Sequence, residues 1–141
     1  MILLDTNIVS ETMRPDPSVE VRDWLDAQRS EDLFLCAPVM AELHYGVEGL
    51  PMDARRKRLE HAIERVEEAF ADRILPLDHA AAREYGKIVA QRDRIGRATG
   101  TMDGLIAAIA KVHGATIATR DIHGFDDVGL DVVDPFTRSQ G

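Results

Sequence analysis

Apolar and polar positions change period repeatedly along this chain, and the changes divide it into short strands and longer helices. It opens on Ile2-Leu3-Leu4, three interior-type side chains in a row, and the run stops at Asp5-Thr6-Asn7. Such a run reads as a buried strand with polar groups at its carboxyl end. A short helix is expected next, through Ser10 to Met13, broken by Arg14-Pro15-Asp16-Pro17. Asp16 is the expected cap of a second helix, with Pro17 at its first position. There Val21, Trp24, Leu25 and Gln28 recur at helical spacing, so Trp24 is read as core and not as a ligand platform. Leu33 to Cys36 is a second strand. Pro38 then opens a helix to Gly46 or Gly49 whose buried stripe is Val39, Met40, Leu43 and Val47, with Glu42 at the stripe's edge.

From Asp53 a long charged helix carries Leu59, Ile63, Val66 and Phe70 on one face. Ile74-Leu75-Pro76-Leu77 is a third short strand, and Asp78 caps a helix that buries Ala82, Tyr85, Ile88 and Val89. The breaker-rich loop Gly96 to Gly100 lacks the Lys of a phosphate-binding loop. Thr101 is the expected N-cap of Met102 to His113, which puts Asp103 in the first turn; Gly114 ends that helix. Ala115 to Thr119 is a fourth strand and Leu130 to Val133 a fifth. Strands alternating with helical patterns predict an α/β fold, a three-layer sandwich with a central parallel sheet of about five short strands. No repeat or low-complexity linker interrupts it, so residues 1–141 are expected to form one domain.

Charge narrows the function. Asp and Glu number 25 against 17 Lys and Arg, a formal charge of −8, which argues against coating a polyanion. It leaves room for a nuclease, because carboxylates can hold a divalent cation that in turn holds a phosphate. The basic groups Arg55-Arg56-Lys57-Arg58 and Arg92, Arg94, Arg97 are first read as solvated faces. Cys36 stands alone within a strand pattern and is read as a small core residue. No apolar run is long enough to span a bilayer and no charged leader precedes Ile2, so a cytosolic protein is expected.

Three of four candidate acids fall where a parallel sheet would gather them. Asp5 ends the first strand, Asp121 follows the fourth, Asp103 opens a helix, and Glu42 lies on the helix after the second strand. Each alone has an ordinary explanation as a cap, a dipole partner, an Asx-turn or a solvated side chain. Right-handed crossovers, however, put strand ends and first helical turns on one edge of the sheet. Carboxylates crowded there repel one another and take up protons unless a cation relieves them. All-oxygen donors suit Mg²⁺, with Mn²⁺ as a substitute. Zinc is disfavoured, since His44, His61, His79, His113 and His123 show no paired-ligand spacing.

The blocks Leu3-Leu4-Asp5-Thr6-Asn7, Ala41-Glu42-Leu43 with Gly46, Asp103 to Ala108, and Ala118-Thr119-Arg120-Asp121 followed by Phe125 occur in an order that resembles the PIN-domain family. More narrowly they are similar to VapC-type toxins, including their FitB-like branch, from Met1 to about Phe136. The resemblance implies Asp5, Glu42, Asp103 and Asp121 as the acidic site, Asp5 and Asp103 as direct Mg²⁺ ligands, and Thr6, Asn7 and Thr119 as supporting residues. Arg120 is a candidate for neutralising phosphate charge. The resemblance further implies a metal-dependent endoribonuclease acting on RNA, a homodimer, and inhibition by a VapB-type antitoxin through which the pair binds operator DNA. Many relatives carry an acid just before the Phe, whereas this chain reads Ile122-His123-Gly124-Phe125 with Asp126 and Asp127 after it, so Asp121, Asp126 and Asp127 all remain candidates for the last carboxylate.

Two rivals start from the same residues. A catalytically idle partner in a DNA-binding repressor complex would use the acids to dock a basic tail. A Mg²⁺-dependent phosphoacceptor domain would need Asp78 as its acceptor and Arg120 where a Lys is wanted. For base stacking, Tyr45, Tyr85, Phe125 and a few Arg residues are the candidates.

Overall fold

Five parallel strands lie in the order β3-β2-β1-β4-β5, where β1 is Ile2–Leu4, β2 Leu33–Cys36, β3 Ile74–Leu75, β4 Thr116–Ala118 and β5 Val132–Val133. These come from a computed structural model of the protein that describes residues 1–137. The central strand β1 is paired on both edges, with Leu3 beside Phe34 of β2 and Ile117 of β4. This is why it reads as an unbroken apolar run and not as an alternation. Leu3, Leu35 and Ile117 are wholly buried.

Six helices flank the sheet: α1 Thr6–Thr12, α2 Val19–Asp26, α3 Ala37–Glu48, α4 Ala54–Ala69, α5 His79–Arg94 and α6 Thr101–His113. From β1 the chain steps outward through β2 to β3, then crosses back to β4 on the other side of β1. The strand order therefore reverses between β1 and β4, the position where such sheets leave a crevice beyond their carboxyl ends. α6 precedes β4 and runs against the strands, so its first turn lies at that same edge.

The small residues of α6 bring it close to α5: a side chain at Gly104 would stand 2.8 Å from a ring carbon of Tyr85. Gly114 closes α6 with φ of 62°, a left-handed conformation that glycine adopts without strain. The expected core positions Val39, Leu43, Ile63, Ile88 and Ile109 are buried, and Cys36 is fully enclosed. Burial pushes the Cys36 thiol up to about 12.

Several boundaries differ from the sequence expectation. α1 begins at Thr6, because the Asp5 carboxylate already accepts the Thr6 N–H. α2 is capped by Ser18 and not Asp16, since the Ser18 hydroxyl accepts from Val21 N while its own N–H donates to buried Glu11. Thr101 is the first residue of α6 and not its cap, because the carbonyl of Gly100 already accepts from Gly104 N at 2.9 Å. β3 stops at Leu75, where Pro76 removes a ladder donor. β5 is confined to two residues after the left-handed turn at Gly129.

Candidate active site

Asp5 is carried out of the sheet by the register of its neighbours. Its N–H donates to Ala118 O at 2.9 Å, which continues the β1–β4 ladder and sets Asp5 beside Thr119. Asp5 is only 5% exposed, yet its carboxylate is well supplied with donors. Thr6 N donates to Oδ1 at 2.8 Å, and Thr119 Oγ1 and Asn7 Nδ2 donate to Oδ2 at 2.7 and 3.3 Å. The fully buried Thr119 hydroxyl is complete, giving its one proton to Asp5 and accepting from Asn7 Nδ2 and Asp121 N at 3.2 and 3.0 Å. Asn7 then accepts the Arg120 N–H at 3.1 Å. The residues after β4 are thus fastened to those after β1 by a closed set of bonds.

Glu42 faces the same place from the middle of α3, where its Oε1 accepts from Thr6 Oγ1 at 2.8 Å. Asp103 comes from the first turn of α6 and Asp121 from the start of the turn Ile122–Gly124. Asp5, Glu42, Asp103 and Asp121 line one cleft of about 500 Å³, together with Thr6, Asn7 and Arg120. The four acids that the sequence pattern singled out are therefore brought together. Asp126 and Asp127 are not among the lining residues, and both pair with Arg97 instead. Asp121 is thus the late carboxylate that faces the other three. Asp78 caps α5 by accepting from Ala81 N, away from the cleft, which removes the acceptor that a phosphorylated domain would need.

Electrostatics follow from crowding. Burial, then the charges of Asp5, Asp121 and Glu42, push the Asp103 carboxyl up to about 6, against a weaker opposing effect of Arg92. Asp5 is also raised by burial and by Glu42 and Asp121, while the bonds from Thr119 and Thr6 pull the other way. The contrast is physical: Asp5 receives several donors, whereas no hydrogen bond reaches the Asp103 carboxylate among the described residues.

Sequence reasoning missed three residues. A Cβ on Gly124 would stand 2.8 Å from Asp121 Oδ2 and 2.9 Å from Asp103 Oδ2, so the two oxygens close over the bare Cα. The Gly124 backbone is not left-handed, so the carboxylates and not φ require the missing side chain. Arg92, read as part of a solvated face, is 3% exposed. Its Nη1 donates to the carbonyls of Gly124 and Asp126 at 3.1 and 2.9 Å, pinning the turn that holds Asp121. Apolar neighbours at helical spacing, Ile88 and Val89, were the available hint that Arg92 points inward. Phe136 lines the cleft, whereas the expected stacking rings lie elsewhere: Phe125 is buried, Tyr85 packs on Gly104, and Tyr45 is absent from the lining.

The PIN-domain family model matches residues 2–130. The chain belongs to the PIN-domain family. It is 42% identical to VapC ribonuclease Y4jK of Sinorhizobium fredii over 96% of this chain and 98% of the relative. It is 41% identical to toxin FitB of Neisseria gonorrhoeae over 96% and 99%. The solved structure of FitAB bound to an IR36 DNA fragment superposes with a TM-score of 0.92 at 38% identity, covering 99% of this chain and 98% of that one.

Nucleases built on the PIN domain generally depend on a divalent cation. The donors present fit such an ion. All are oxygens; His44 and His61 sit beside Glu67 and Glu64, and His123 beside Asp126, outside the cleft. Asp103 and Asp121 converge over Gly124, and the raised Asp5 and Asp103 carboxyls mark a charge that wants a counter-ion. Among the described residues no three acidic, histidine or cysteine side chains are drawn in tightly enough to cage an ion. An open set of carboxylates suits a cation that keeps part of its water.

Proposed function

We propose that this PIN domain is the toxin of a type II toxin–antitoxin pair, a Mg²⁺-dependent endoribonuclease that accepts Mn²⁺ in its place. The observation that carries the reading is the convergence of Asp5, Glu42, Asp103 and Asp121 on one cleft at the switch point of the sheet. Relatives named as VapC ribonuclease and toxin FitB support it.

Asp5 and Asp103 would hold the cation directly in this reading, with Glu42 and Asp121 completing its shell directly or through water. A bound divalent cation supplies a Lewis acid for the phosphate and lowers the pKa of a coordinated water. Thr119, Asn7 and the Thr6 N–H hold the Asp5 carboxylate in one orientation, as the partners of a metal ligand do. Arg92 and Gly124 hold Asp121 toward Asp103. Arg14 and Arg120 stand at the rim, where they offset the negative charge that RNA would otherwise meet.

A largely apolar groove of about 1050 Å³ opens beside the cleft, sharing Thr6, Ser10, Arg14 and Glu42 with it; its walls include Met13, Leu43, Val47 and Phe70, with Arg58 and Arg65 among them. It supports inhibition by a VapB-type antitoxin, through which the pair reaches operator DNA. A homodimer is part of the same proposal, and Tyr45 and Met52, each more than four-fifths exposed, are apolar surface that a second copy would cover. No described helix is long and apolar enough to cross a membrane; we place the protein's action in the cytosol, where its RNA is.

The test is cleavage-site mapping on total cellular RNA with and without Mg²⁺. The expected result is discrete cuts that need the cation and vanish in Asp5→Ala. Cuts that persist in a pure Asp5→Ala sample overturn the site, and no cuts by wild type under any divalent cation favour the idle repressor partner.

A further inference from the structure

We infer that Arg120, laid on the ring of Phe136, is a stacking platform for an unpaired RNA base next to the bond that is cut. The inference rests on the ribonuclease reading and adds a recognition element to it.

Arg120 lies between Thr119, which holds Asp5, and Asp121, so its position is fixed relative to both carboxylates. Its backbone N–H is tied to Asn7 Oδ1 at 3.1 Å. The guanidinium carbon stands 4.4 Å from the centroid of the Phe136 ring, within cation–π range. Phe136 is itself packed against the core. The ring therefore sets the place of a long side chain that would otherwise sample many rotamers.

No carboxylate pairs with the Arg120 side chain among the described residues, although acids crowd the cleft beside it. Arg56, by contrast, pairs with Glu48 and Glu60, and Arg97 with Asp126 and Asp127. Arg120 is exposed and lines the cleft, so its guanidinium keeps surface open to solvent beyond what the ring covers.

A held guanidinium with open surface suits a nucleobase. Proteins read unpaired RNA by stacking bases on aromatic rings or arginine planes, and every base offers a π-face. Prior ordering of the arginine lowers the entropy cost of the contact. Because the platform borders the acidic cleft, the stacked base belongs to a nucleotide flanking the scissile phosphate. The chain's net charge of −8 repels RNA at long range, so such a local contact weighs heavily in binding.

The test uses a short single-stranded RNA spanning a mapped cut, and the same strand with an abasic residue on one side of the cut or the other. Ca²⁺ replaces Mg²⁺ to suppress turnover, and binding is read by fluorescence anisotropy. For wild type, one of the abasic positions is expected to weaken binding about tenfold, the usual scale for one stacked base. Phe136→Leu and Arg120→Lys are expected to weaken the intact strand by a similar factor and to lose little more on the abasic one. Phe136→Tyr, which keeps the ring, is expected to bind as wild type does.

Equal losses by Phe136→Leu on intact and abasic strands overturn the platform and leave the pair as a pin for the chain end. Full binding by Arg120→Lys also overturns it, since charge alone would then suffice. A wild type that cuts RNA but ignores both abasic positions refutes the platform while leaving the ribonuclease reading intact. A wild type that neither binds nor cuts RNA removes both.

Discussion

Replacing Asp103 by Asn tests the electrostatic reading most directly, because it removes one charge from the crowded cleft while keeping the shape of the side chain. The ordinary carboxyl value is 3.8 and the folded protein raises it to about 6. Unfolding therefore releases a proton between those limits, so the penalty for charging Asp103 is absent below about pH 4 and fully present above about pH 6. The whole shift would correspond to about 3 kcal/mol at 1.36 kcal/mol per unit. Asp103 is partly exposed in the cleft, and solvent screening reduces this to about 1–2 kcal/mol. For a chain of 141 residues that is a gain of roughly 3–7 °C in melting temperature.

Thermal unfolding followed by circular dichroism in EDTA should thus find Asp103→Asn more stable than wild type at pH 8, with the advantage gone by pH 4. Saturating Mg²⁺ or Mn²⁺ should reverse the order, because a ligand at a hundred times its dissociation constant stabilises the native state by about 2.7 kcal/mol, and the variant has lost a ligand. The reasoning fails if Asp103→Asn is the less stable protein in EDTA at pH 8. It also fails if the variant keeps the full cation-induced rise.

Three further outcomes follow from the same geometry. Gly124→Ala should remain folded, since its backbone is not left-handed, but the added carbon meets Asp103 and Asp121 and should weaken Mn²⁺ binding about tenfold or more by calorimetry; unchanged affinity would mean that those oxygens do not share an ion. Arg92→Met should cost about 2–4 kcal/mol in urea unfolding, because it strips a charged donor from the carbonyls of Gly124 and Asp126; a loss under about 0.5 kcal/mol, the size of an ordinary surface change, would restore its reading as a surface residue. Cys36, buried and with its thiol pushed up to about 12, should resist iodoacetamide in native protein at pH 8, and rapid labelling without unfolding would contradict its place in the core.

Much of this was written in local pattern. Strands β1, β2 and β4, helices α3 to α6 and most of the core face of each follow from periodicity, since a buried strand or an amphipathic helix must show its apolar positions in the order that it packs them; in α5, however, Ala81 is buried and the expected Ala82 is exposed. Three of the four acids were legible for a related reason: in a parallel sheet, strand ends and first helical turns are sorted to one edge by handedness alone, so Asp5, Asp103 and Asp121 could be expected together from the sequence. What the linear order did not contain were contacts between chain segments. That Asp121 rather than Asp126 meets Asp103, that Gly124 must be bare, that Arg92 turns inward and that Phe136 returns beneath Arg120 all depend on where the segment after β4 lies against α5 and α6. The reason is range: period reports on neighbours along one element, whereas these contacts join residues that only the closed tertiary structure brings within reach.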